Sequence, residues 1–420
     1  MVNSGMIGEF APNGMDIKYG YNPKAGEWYA PVVAPRPQVY HELVKQGVIQ
    51  VVYPDLVEPG VGSPADIAHA INSSIDNVIE VKIVADYEIP RSDDGKIITT
   101  FVPNGKTLIV DLNGHHITCI AYAFYVTGGT LIIKDSKGTG SIKTTTHNTY
   151  SAIQVTGATG TCIMHGGLID TRTPDDKTTP NYCYGVVCET GGTFKMNGGT
   201  IHTDEASCIS VSNQASIGST GNFDITGSAH LITDGCAAVY QASMDTVDIH
   251  GSATVEGGIV ARMGHITVRE NAKVVNNGST VTYPLGKFVT ESGVEPVNYG
   301  FLAMTGVYTY NGQDGTNDLT FEIKDNATVK STVGEDVAVA TIDTQYAQKA
   351  RLEIKNSTFK VMNHDELAAL ATAEGKTLAA KTVDTDLSIT AHGTVVWPVP
   401  TNNDEPTEPA PTDETPTVQS

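Results

Sequence analysis

The sequence contains Phe194-Lys-Met196-Asn-Gly-Gly199-Thr-Ile-His202, in which two short apolar-polar alternations flank a polar residue and a Gly-Gly pair. Close variants of this phrase recur along the chain, and their first apolar residues are Leu131, Cys162, Phe223, Val247, Ile266, Phe321 and Leu352. Most copies begin about 19 to 32 residues after the preceding one. A repeat of this length indicates units that each need a neighbour to bury their apolar side, so the chain is predicted to be a solenoid.

Each repeat also contains a third short apolar stretch, such as Ala152–Val155, Gly185–Cys188 or Cys208–Val211. Three short strands separated by three turns are typical of a right-handed parallel β-helix, in which alternate residues face a stacked interior and the others face solvent. We therefore predict an all-β fold with about nine coils over residues 78–361. A β-propeller would need about four strands per ~40-residue blade, and these units are too short and irregular for it.

One interior row follows from this alignment. It is predicted to contain Leu131, Cys162, Phe194, Phe223, Val247 and Ile266. The aligned cysteines at 162 and 188 replace bulkier apolar residues of neighbouring repeats, so the cysteines are expected to be small core residues in a reducing compartment and not zinc ligands or disulfides.

Four regions are predicted from changes in composition. Residues 1–65 do not repeat and are rich in Tyr, Trp and Pro, which indicates an extended N-terminal arm with Tyr19, Tyr21, Trp28 and Tyr29 as anchoring residues. Residues 66–362 are expected to hold the β-helix and its capping helix, which starts at the Ser63-Pro64 signal. Residues 363–398 are predicted to form a helix and a small β cap, and residues 399–420 are predicted to be a disordered acidic Thr/Pro/Glu tail.

The longer insertions are predicted to follow the same strand of each coil and so to form one ridge, which is where solenoids usually bind their partners. They are residues 144–150, 171–182, 276–300 and 331–336. On this ridge the candidate binding residues are Asp175, Asp176, Tyr283, Lys287 and Phe288.

Charge and hydropathy exclude two classes of partner. Lys+Arg 26 against Asp+Glu 47 gives a net charge of −21, which repels phosphate backbones, so nucleic acid is not an expected partner. The sequence has no run of 18 apolar residues, so no membrane insertion is expected. The first ten residues lack the basic and apolar regions of a secretory signal. We expect either a signal removed earlier or a route that needs none, as for virion proteins.

No catalytic centre is predicted. Asp224 and Asp248 align on neighbouring coils and come closest to a carboxylate pair, but surface acids are the simpler interpretation. His165 and His250 lie about three coils apart, too far to share a metal. No cofactor, metal site or catalytic residue is therefore expected.

The segment Val102–His115, with its Gly-Lys-Thr-Leu108 and Asp111-Leu-Asn-Gly114 elements, and Gly129–Ser136 resemble the opening of β-helix surface proteins of gut bacteria and their phages. That resemblance implies a glycan-facing adhesin, a tailspike, or a capsid or tail fibre. We favour a non-enzymatic virion protein, a fibre or capsid decoration held by its arm to capsid or tail proteins, because the missing signal, the non-repeating arm, the solenoid and the acidic tail all fit it. It would present the β-helix to a host glycan or protein, as a possible homotrimer on the virion surface. A bacterial cell-surface adhesin and a polysaccharide depolymerase are the alternatives.

Overall fold

The structure is a computed structural model of the chain. It describes residues 20–22, 27–29, 60–90, 98–145, 150–173, 183–211, 221–235, 237–278, 299–305, 317–341, 350–355, 357, 359–361, 387–390 and 394–396. The chain divides into two compact units, Met1–Pro59 and Gly60–Ser420. In the first unit, strands β1 (Gly20–Asn22) and β2 (Glu27–Tyr29) pair antiparallel, with Tyr21 opposite Trp28. The region predicted as an extended arm therefore contains a short hairpin.

The second unit is built from three sheets. The first sheet contains β3 (Gly60–Val61), β4 (Val78–Ile83), β7 (Thr107–Asp111), β10 (Thr130–Lys134), β13 (Thr161–Met164), β16 (Gly192–Met196), β19 (Gly221–Ile225), β22 (Thr246–Ile249), β25 (Gly264–Val268), β28 (Asn317–Ile323), β31 (Ala350–Lys355), β33 (Leu387–Thr390) and β34 (Thr394–Val396). The second sheet contains β5 (Tyr87–Ile89), β8 (His116–Cys119), β11 (Ser141–Thr144), β14 (Leu168–Asp170), β17 (Thr200–Thr203), β20 (His230–Thr233), β23 (Thr254–Glu256), β26 (Lys273–Asn276) and β29 (Thr328–Ser331). The third sheet contains β6 (Thr100–Pro103), β9 (Phe124–Thr127), β12 (Ser151–Thr156), β15 (Tyr184–Glu189), β18 (Ile209–Val211), β21 (Val239–Gln241), β24 (Ile259–Ala261), β27 (Phe301–Thr305), β30 (Val337–Thr341) and β32 (Lys360–Val361).

The chain visits the three sheets in turn, so that strands neighbouring in a sheet come from successive coils. From β4 to β30 this gives nine complete coils, since the second sheet has nine strands. Within these coils every pairing between the described strands is parallel. The protein is an all-β parallel β-helix, which confirms the predicted class and the number of coils.

The predicted interior row is confirmed residue by residue. Leu131 pairs with Cys162, Cys162 with Phe194, and Phe194 with Phe223. The row continues from Phe223 through Val247 to Ile266, and all six side chains are at most 1% exposed. The two-residue side-chain period of a strand keeps these positions inward on every coil.

The register of the last copy differs from the prediction. Leu352 pairs with Leu319, and Ile354 pairs with Phe321, whereas the repeat alignment places Leu352 on Phe321. Strand β28 begins at Asn317, four residues before the repeated phrase at Phe321, and it adds Leu319 as a further inward apolar residue. A slip of two residues keeps every side chain on the same face, so apolar periodicity could not distinguish the two registers.

The third sheet also departs from the expected inside-outside alternation. Its central outward-facing row is at most 8% exposed from the third coil onward, and the row consists of Gln154, Val187, Ser210, Tyr240, Val260, Leu302 and Ala338. The middle of this sheet is therefore buried on both faces, which is the usual condition of parallel strands with continuous apolar runs.

Both ends of the solenoid carry closing elements. Helix α1 (Pro64–Ser73) starts as predicted, with Ser63 as N-cap and its Oγ accepting a hydrogen bond from the Asp66 N–H at 3.2 Å. The helix buries Ile67 and Ile71 against the first coils. At the other end the predicted strand pair exists: β33 pairs antiparallel with β31 and with β34, so the first sheet ends in an antiparallel edge.

The predicted C-terminal helix that begins near residue 363 and the acidic tail of residues 399–420 lie outside the described residues. Within the residues that are described, no helix is long and apolar enough to cross a membrane.

Candidate functional site

Most of the predicted binding and anchoring residues lie outside the described part of the chain. This holds for Asp175, Asp176, Tyr283, Lys287, Phe288 and Tyr19. The other anchoring candidates lie on the N-terminal hairpin: Tyr21 is on β1, and Trp28 and Tyr29 are on β2. Their anchoring role stays a prediction.

The predicted ridge does exist as a line of connections, because the four insertions all follow strands of the second sheet. They come after β11, β14, β26 and β29. The expectation that all long connections share this ridge is wrong, however. Residues 212–220, 306–316 and 342–349 follow third-sheet strands and lead back to the first sheet. Long connections therefore occur at two edges of the solenoid.

Buried polar side chains hold the start of the ridge connections. Thr171 and Thr203 face inward and donate from Oγ1 to the backbone carbonyls of Cys183 and Ala206, at 2.7 and 2.6 Å. The buried Asn276 receives a hydrogen bond from the Gly278 N–H at 3.1 Å and donates to the Tyr299 carbonyl at 3.1 Å. Because loop backbone groups buried at a corner need partners, these side chains fix where each connection leaves and rejoins the coil.

An aromatic ladder lies beside this ridge on the first three coils. We define it as Phe101, Tyr122, Tyr125 and Tyr150, where Phe101 and Tyr125 are outward register partners on β6 and β9. The ring centroids of Phe101 and Tyr125 are 5.6 Å apart, those of Tyr125 and Tyr122 are 5.5 Å apart, and those of Tyr122 and Tyr150 are 5.3 Å apart. Phe101 is 56% exposed and Tyr150 is 40% exposed. The four rings thus form one connected aromatic surface that solvent reaches.

The centre of the ladder is held in an unfavourable backbone conformation. Tyr122 has φ +46°, in the left-handed region that a bulky residue rarely adopts. Its N–H donates to the Ser151 carbonyl on the next coil at 2.8 Å, which ties the turn in place. Strain of this kind, which costs on the order of 1 kcal/mol or more, occurs preferentially at functional sites.

Polar groups border the rings. The buried Gln154 continues the outward row from Tyr125 onto the next coil, and its Oε1 accepts from the Ser151 hydroxyl at 3.1 Å. Burial raises the pKa of Tyr122 and Tyr125, and the nearby Glu189 carboxylate raises the pKa of both phenols further. The tyrosines therefore remain neutral hydrogen-bonding groups at physiological pH, next to one negative charge.

Asp224 and Asp248, the closest approach to a carboxylate pair in the sequence, are register partners on the outward face of the first sheet. Each is engaged by a basic side chain. Asp224 Oδ1 lies 2.9 Å from His250 Nε2, and Asp248 binds the Arg269 guanidinium through contacts of 2.8 to 3.2 Å. The pKa of Arg269 is raised by its hydrogen bonds to Asp248, although desolvation acts in the opposite direction. Glu270 also contacts Arg269, and its Oε2 accepts a hydrogen bond from the Gly251 N–H at 2.9 Å.

In this arrangement the two acids bind basic side chains of neighbouring coils and so link the coils to one another. They do not form an open acid-base pair. General acid-base cleavage of a glycan needs two carboxyl groups free to face the scissile bond. Here the two carboxylates are neighbours with separate basic partners. Among the described residues there is also no group of three or more His, Cys, Asp or Glu side chains placed to hold a metal ion.

The aromatic ladder was not predicted from the sequence, because its members belong to different parts of the repeat. Phe101 and Tyr125 are strand residues, whereas Tyr122 and Tyr150 lie in the turns that precede third-sheet strands. Predicting that these rings lie together would have required the strand register of β6, β9 and β12. The available signal in the sequence was the clustering of Phe101, Tyr122 and Tyr125 in stretches outside the repeated phrase.

Comparison of the chain with protein-family models, with curated proteins and with solved structures finds no match.

Proposed function

We propose that this protein is a non-enzymatic structural protein of a bacteriophage particle, a fibre or decoration protein, that binds a glycan on the host surface through the aromatic ladder of its β-helix. The N-terminal region, with Tyr21 and Trp28 on its hairpin, would attach it to capsid or tail proteins. The phage assignment rests on the sequence, through the resemblance, the non-repeating N-terminal arm and the acidic tail. The glycan-binding assignment rests on the structure of the ladder.

The observation that carries the proposal is the exposed row of rings formed by Phe101, Tyr122, Tyr125 and Tyr150. Sugar rings have apolar faces of C–H groups and polar edges of hydroxyls. An aromatic ring offers a flat apolar surface at low entropic cost, and a tyrosine adds a hydrogen-bonding group at its end. Successive coils are ~4.8 Å apart, so the ladder offers about one ring per coil to an extended chain of sugars running along the solenoid.

The charge near the ladder favours a neutral glycan. Glu189 lies close enough to raise the pKa of Tyr122 and Tyr125, so its field acts on the same surface. The whole chain carries −21. These negative charges would repel acidic sugars both during approach and in the bound state, and this applies to uronic acids, sialic acids and sulfated sugars. We therefore expect neutral hexose or N-acetylhexosamine chains to be preferred.

Two alternative functions remain. A bacterial cell-surface adhesin would use the same ladder and differ in where the protein is anchored. A depolymerase would need reactive carboxylates, and the hydrogen bond of Asp224 with His250 and the ion pair of Asp248 with Arg269 argue for a structural role of these acids.

The test is glycan binding by the full chain on an array of neutral and acidic bacterial glycans, followed by titration calorimetry with the best neutral ligand. Replacing Tyr122 or Tyr125 by Ala should weaken binding about 5- to 150-fold, since an aromatic contact of this kind contributes roughly 1–3 kcal/mol by analogy with base stacking. Val333→Ala is the matched control, because Val333 is 45% exposed on the ninth coil, away from the ladder.

Equal binding by the two tyrosine variants and the parent chain would refute the assignment of the ladder. Preferential binding of acidic glycans would refute the neutral class. Binding only to a protein receptor would show that the partner of this surface is a protein and not a glycan.

A further inference from the structure

A polar row lies directly beside the aromatic ladder on the outward face of the third sheet. Pro103, Thr127, Thr156 and Glu189 are register partners on the first four coils, and each lies two positions after a member of the central outward row. Side chains two positions apart on a strand point to the same face. Thr127 is exposed, and Thr156 and Glu189 are partly exposed. A ligand on the ladder therefore has this polar row along one of its edges.

The acid at the end of this row is available to a ligand. Among the residues that the structure describes, the Glu189 carboxylate has no hydrogen bond or ion pair. Asp224 and Asp248, by contrast, are each engaged by a basic side chain. Burial raises the pKa of Tyr125, and the negative charge of Glu189 raises it further, which shows that this charge acts on the ladder. The ladder thus has an unoccupied hydrogen-bond acceptor beside it.

A strained turn fixes the position of this acid. Thr190 has φ +47°, a left-handed conformation that a β-branched residue adopts only as an outlier. Its Oγ1 lies 2.7 Å from Thr156 Oγ1 and accepts a hydrogen bond from the Gly157 N–H at 3.0 Å. The same N–H reaches the Glu189 carbonyl at 3.3 Å. With Tyr122, this is the second strained residue beside the ladder, and strain of this kind concentrates at functional sites.

The acid lies further along the solenoid than the rings. Tyr125 is on the second coil and Glu189 is on the fourth, so two coils, or about 10 Å, separate them along the axis. A glycan that follows the solenoid has about one sugar per coil. When one sugar stacks on Tyr125, the third sugar of the chain therefore reaches Glu189.

This inference rests on the glycan-binding function proposed above. We infer that Glu189 selects neutral hexose chains whose sugars carry two free neighbouring hydroxyl groups, because its carboxylate accepts a hydrogen bond from each of the two. Hydrogen bonds to an ionised acceptor are the strong ones, and the two oxygens of a carboxylate accept a pair of donors side by side.

The selection narrows the class of ligand. A 1,4-linked hexose chain has neighbouring hydroxyls at positions 2 and 3 of every sugar. In the corresponding N-acetylhexosamine chain an acetamido group replaces the hydroxyl at position 2, so the pair is lost. A site that is built to bind both hydroxyls disfavours the chain that lacks one of them. Hexose chains are therefore preferred over N-acetylhexosamine chains of the same length.

The test is titration calorimetry of the full chain with 1,4-linked glucose and mannose oligomers of two to five sugars, and with N-acetylglucosamine oligomers of the same lengths. A hexose oligomer should bind more tightly than the N-acetylated oligomer of equal length once three sugars are present. The gain from two to three sugars should be steep, because only the third sugar reaches Glu189.

Glu189→Gln keeps the size of the side chain but replaces one carboxylate oxygen by a donor. It should weaken binding of hexose trimers and longer chains about tenfold and leave the dimer unchanged. Tyr125→Ala should weaken every length. Glu88→Gln is the matched control, because Glu88 is an exposed acid on the second sheet and its loss removes the same charge without changing binding. Circular dichroism checks that each variant is folded.

The outcomes separate this inference from the proposed function. If no oligomer binds, or if binding does not depend on Tyr125, the proposed function fails and this inference fails with it. Binding that needs Tyr125 but is unchanged in Glu189→Gln overturns this inference alone, and so does tighter binding of the N-acetylated oligomers. A preference for glucosamine oligomers with free amines that is lost in Glu189→Gln would show that the carboxylate binds an ammonium group and not a pair of hydroxyls.

Discussion

Phe194 offers the sharpest test of the interior stack. Its side chain is fully buried in the first sheet, between Cys162 on one coil and Phe223 on the next. Phe194→Ala removes the ring and leaves a cavity that the small Cys162 thiol cannot fill. We expect the free energy of unfolding to fall by about 3–5 kcal/mol, the usual cost of a Phe-to-Ala change in a close-packed core. The upper half of that range is favoured because the neighbouring strands are fixed by ladders on both sides.

Urea denaturation followed by far-UV circular dichroism measures this change. We choose this signal because neither of the two tryptophans, Trp28 and Trp397, belongs to a strand of the nine coils. Val333→Ala is the control, because a 45% exposed side chain outside the stack should change stability by about 0.5 kcal/mol or less. A solenoid is stabilised by nearest-neighbour contacts, so the loss should also lower hydrogen-exchange protection in the adjoining coils first. A loss below about 1 kcal/mol for Phe194→Ala would refute the stacked core.

Three further outcomes follow from side chains described above. Incubation with pectin, alginate and capsular glycans should release no reducing ends or unsaturated products, and turnover that is lost in Asp224→Ala or Asp248→Ala would contradict the structural role of these acids. Burial raises the pKa of Asp111, but hydrogen bonds from Ser136 and Asn113 outweigh it and lower the pKa overall, so this acid stabilises the fold at neutral pH. That contribution should be lost as pH falls through the lowered pKa, and the stability gap between the parent and Asp111→Asn should close in acid, which denaturation at several pH values would show. Burial raises the pKa of the Cys119 and Cys208 thiols to about 12, and that of Cys162, Cys183 and Cys188 as well, so these five should not react with a thiol reagent at pH 8 until the protein is unfolded.

The solenoid could be predicted because its signal repeats. The phrase around Phe194 fixes which residues face inward, and eight copies of it reinforce one another. The prediction failed at Leu352 because the pattern has a period of two and cannot detect a slip of two residues. It also failed for the outward residues of the third sheet, such as Tyr240 and Val260, because burial on that side depends on packing that no local pattern encodes.

The candidate site could not be predicted in the same way. Phe101, Tyr125 and Tyr150 have no common position in the repeated phrase, and only the register of the third sheet brings them together. The ion pair of Asp248 with Arg269 has the same origin, since the two residues are 21 positions apart and meet on neighbouring coils. A surface of a solenoid is assembled across coils, whereas sequence patterns are strongest within one coil.

The N-terminal end decides how the anchoring hypothesis should be tested. A chain that starts near Val78 would lose β3, which pairs with β4, and helix α1, whose Ile67 and Ile71 cover the first coil. Each of these isoleucines contributes about 1.5–3 kcal/mol by burial, and its loss would expose an apolar end that invites aggregation. A chain that starts at Gly60 keeps both elements, so it should unfold at nearly the same temperature as the full chain, whereas the shorter one should unfold earlier or aggregate. If the anchoring hypothesis holds, the chain from Gly60 should also still bind glycan but no longer join the particle. Normal incorporation of that chain would show that residues 1–59, with Tyr21 and Trp28, do not anchor the protein.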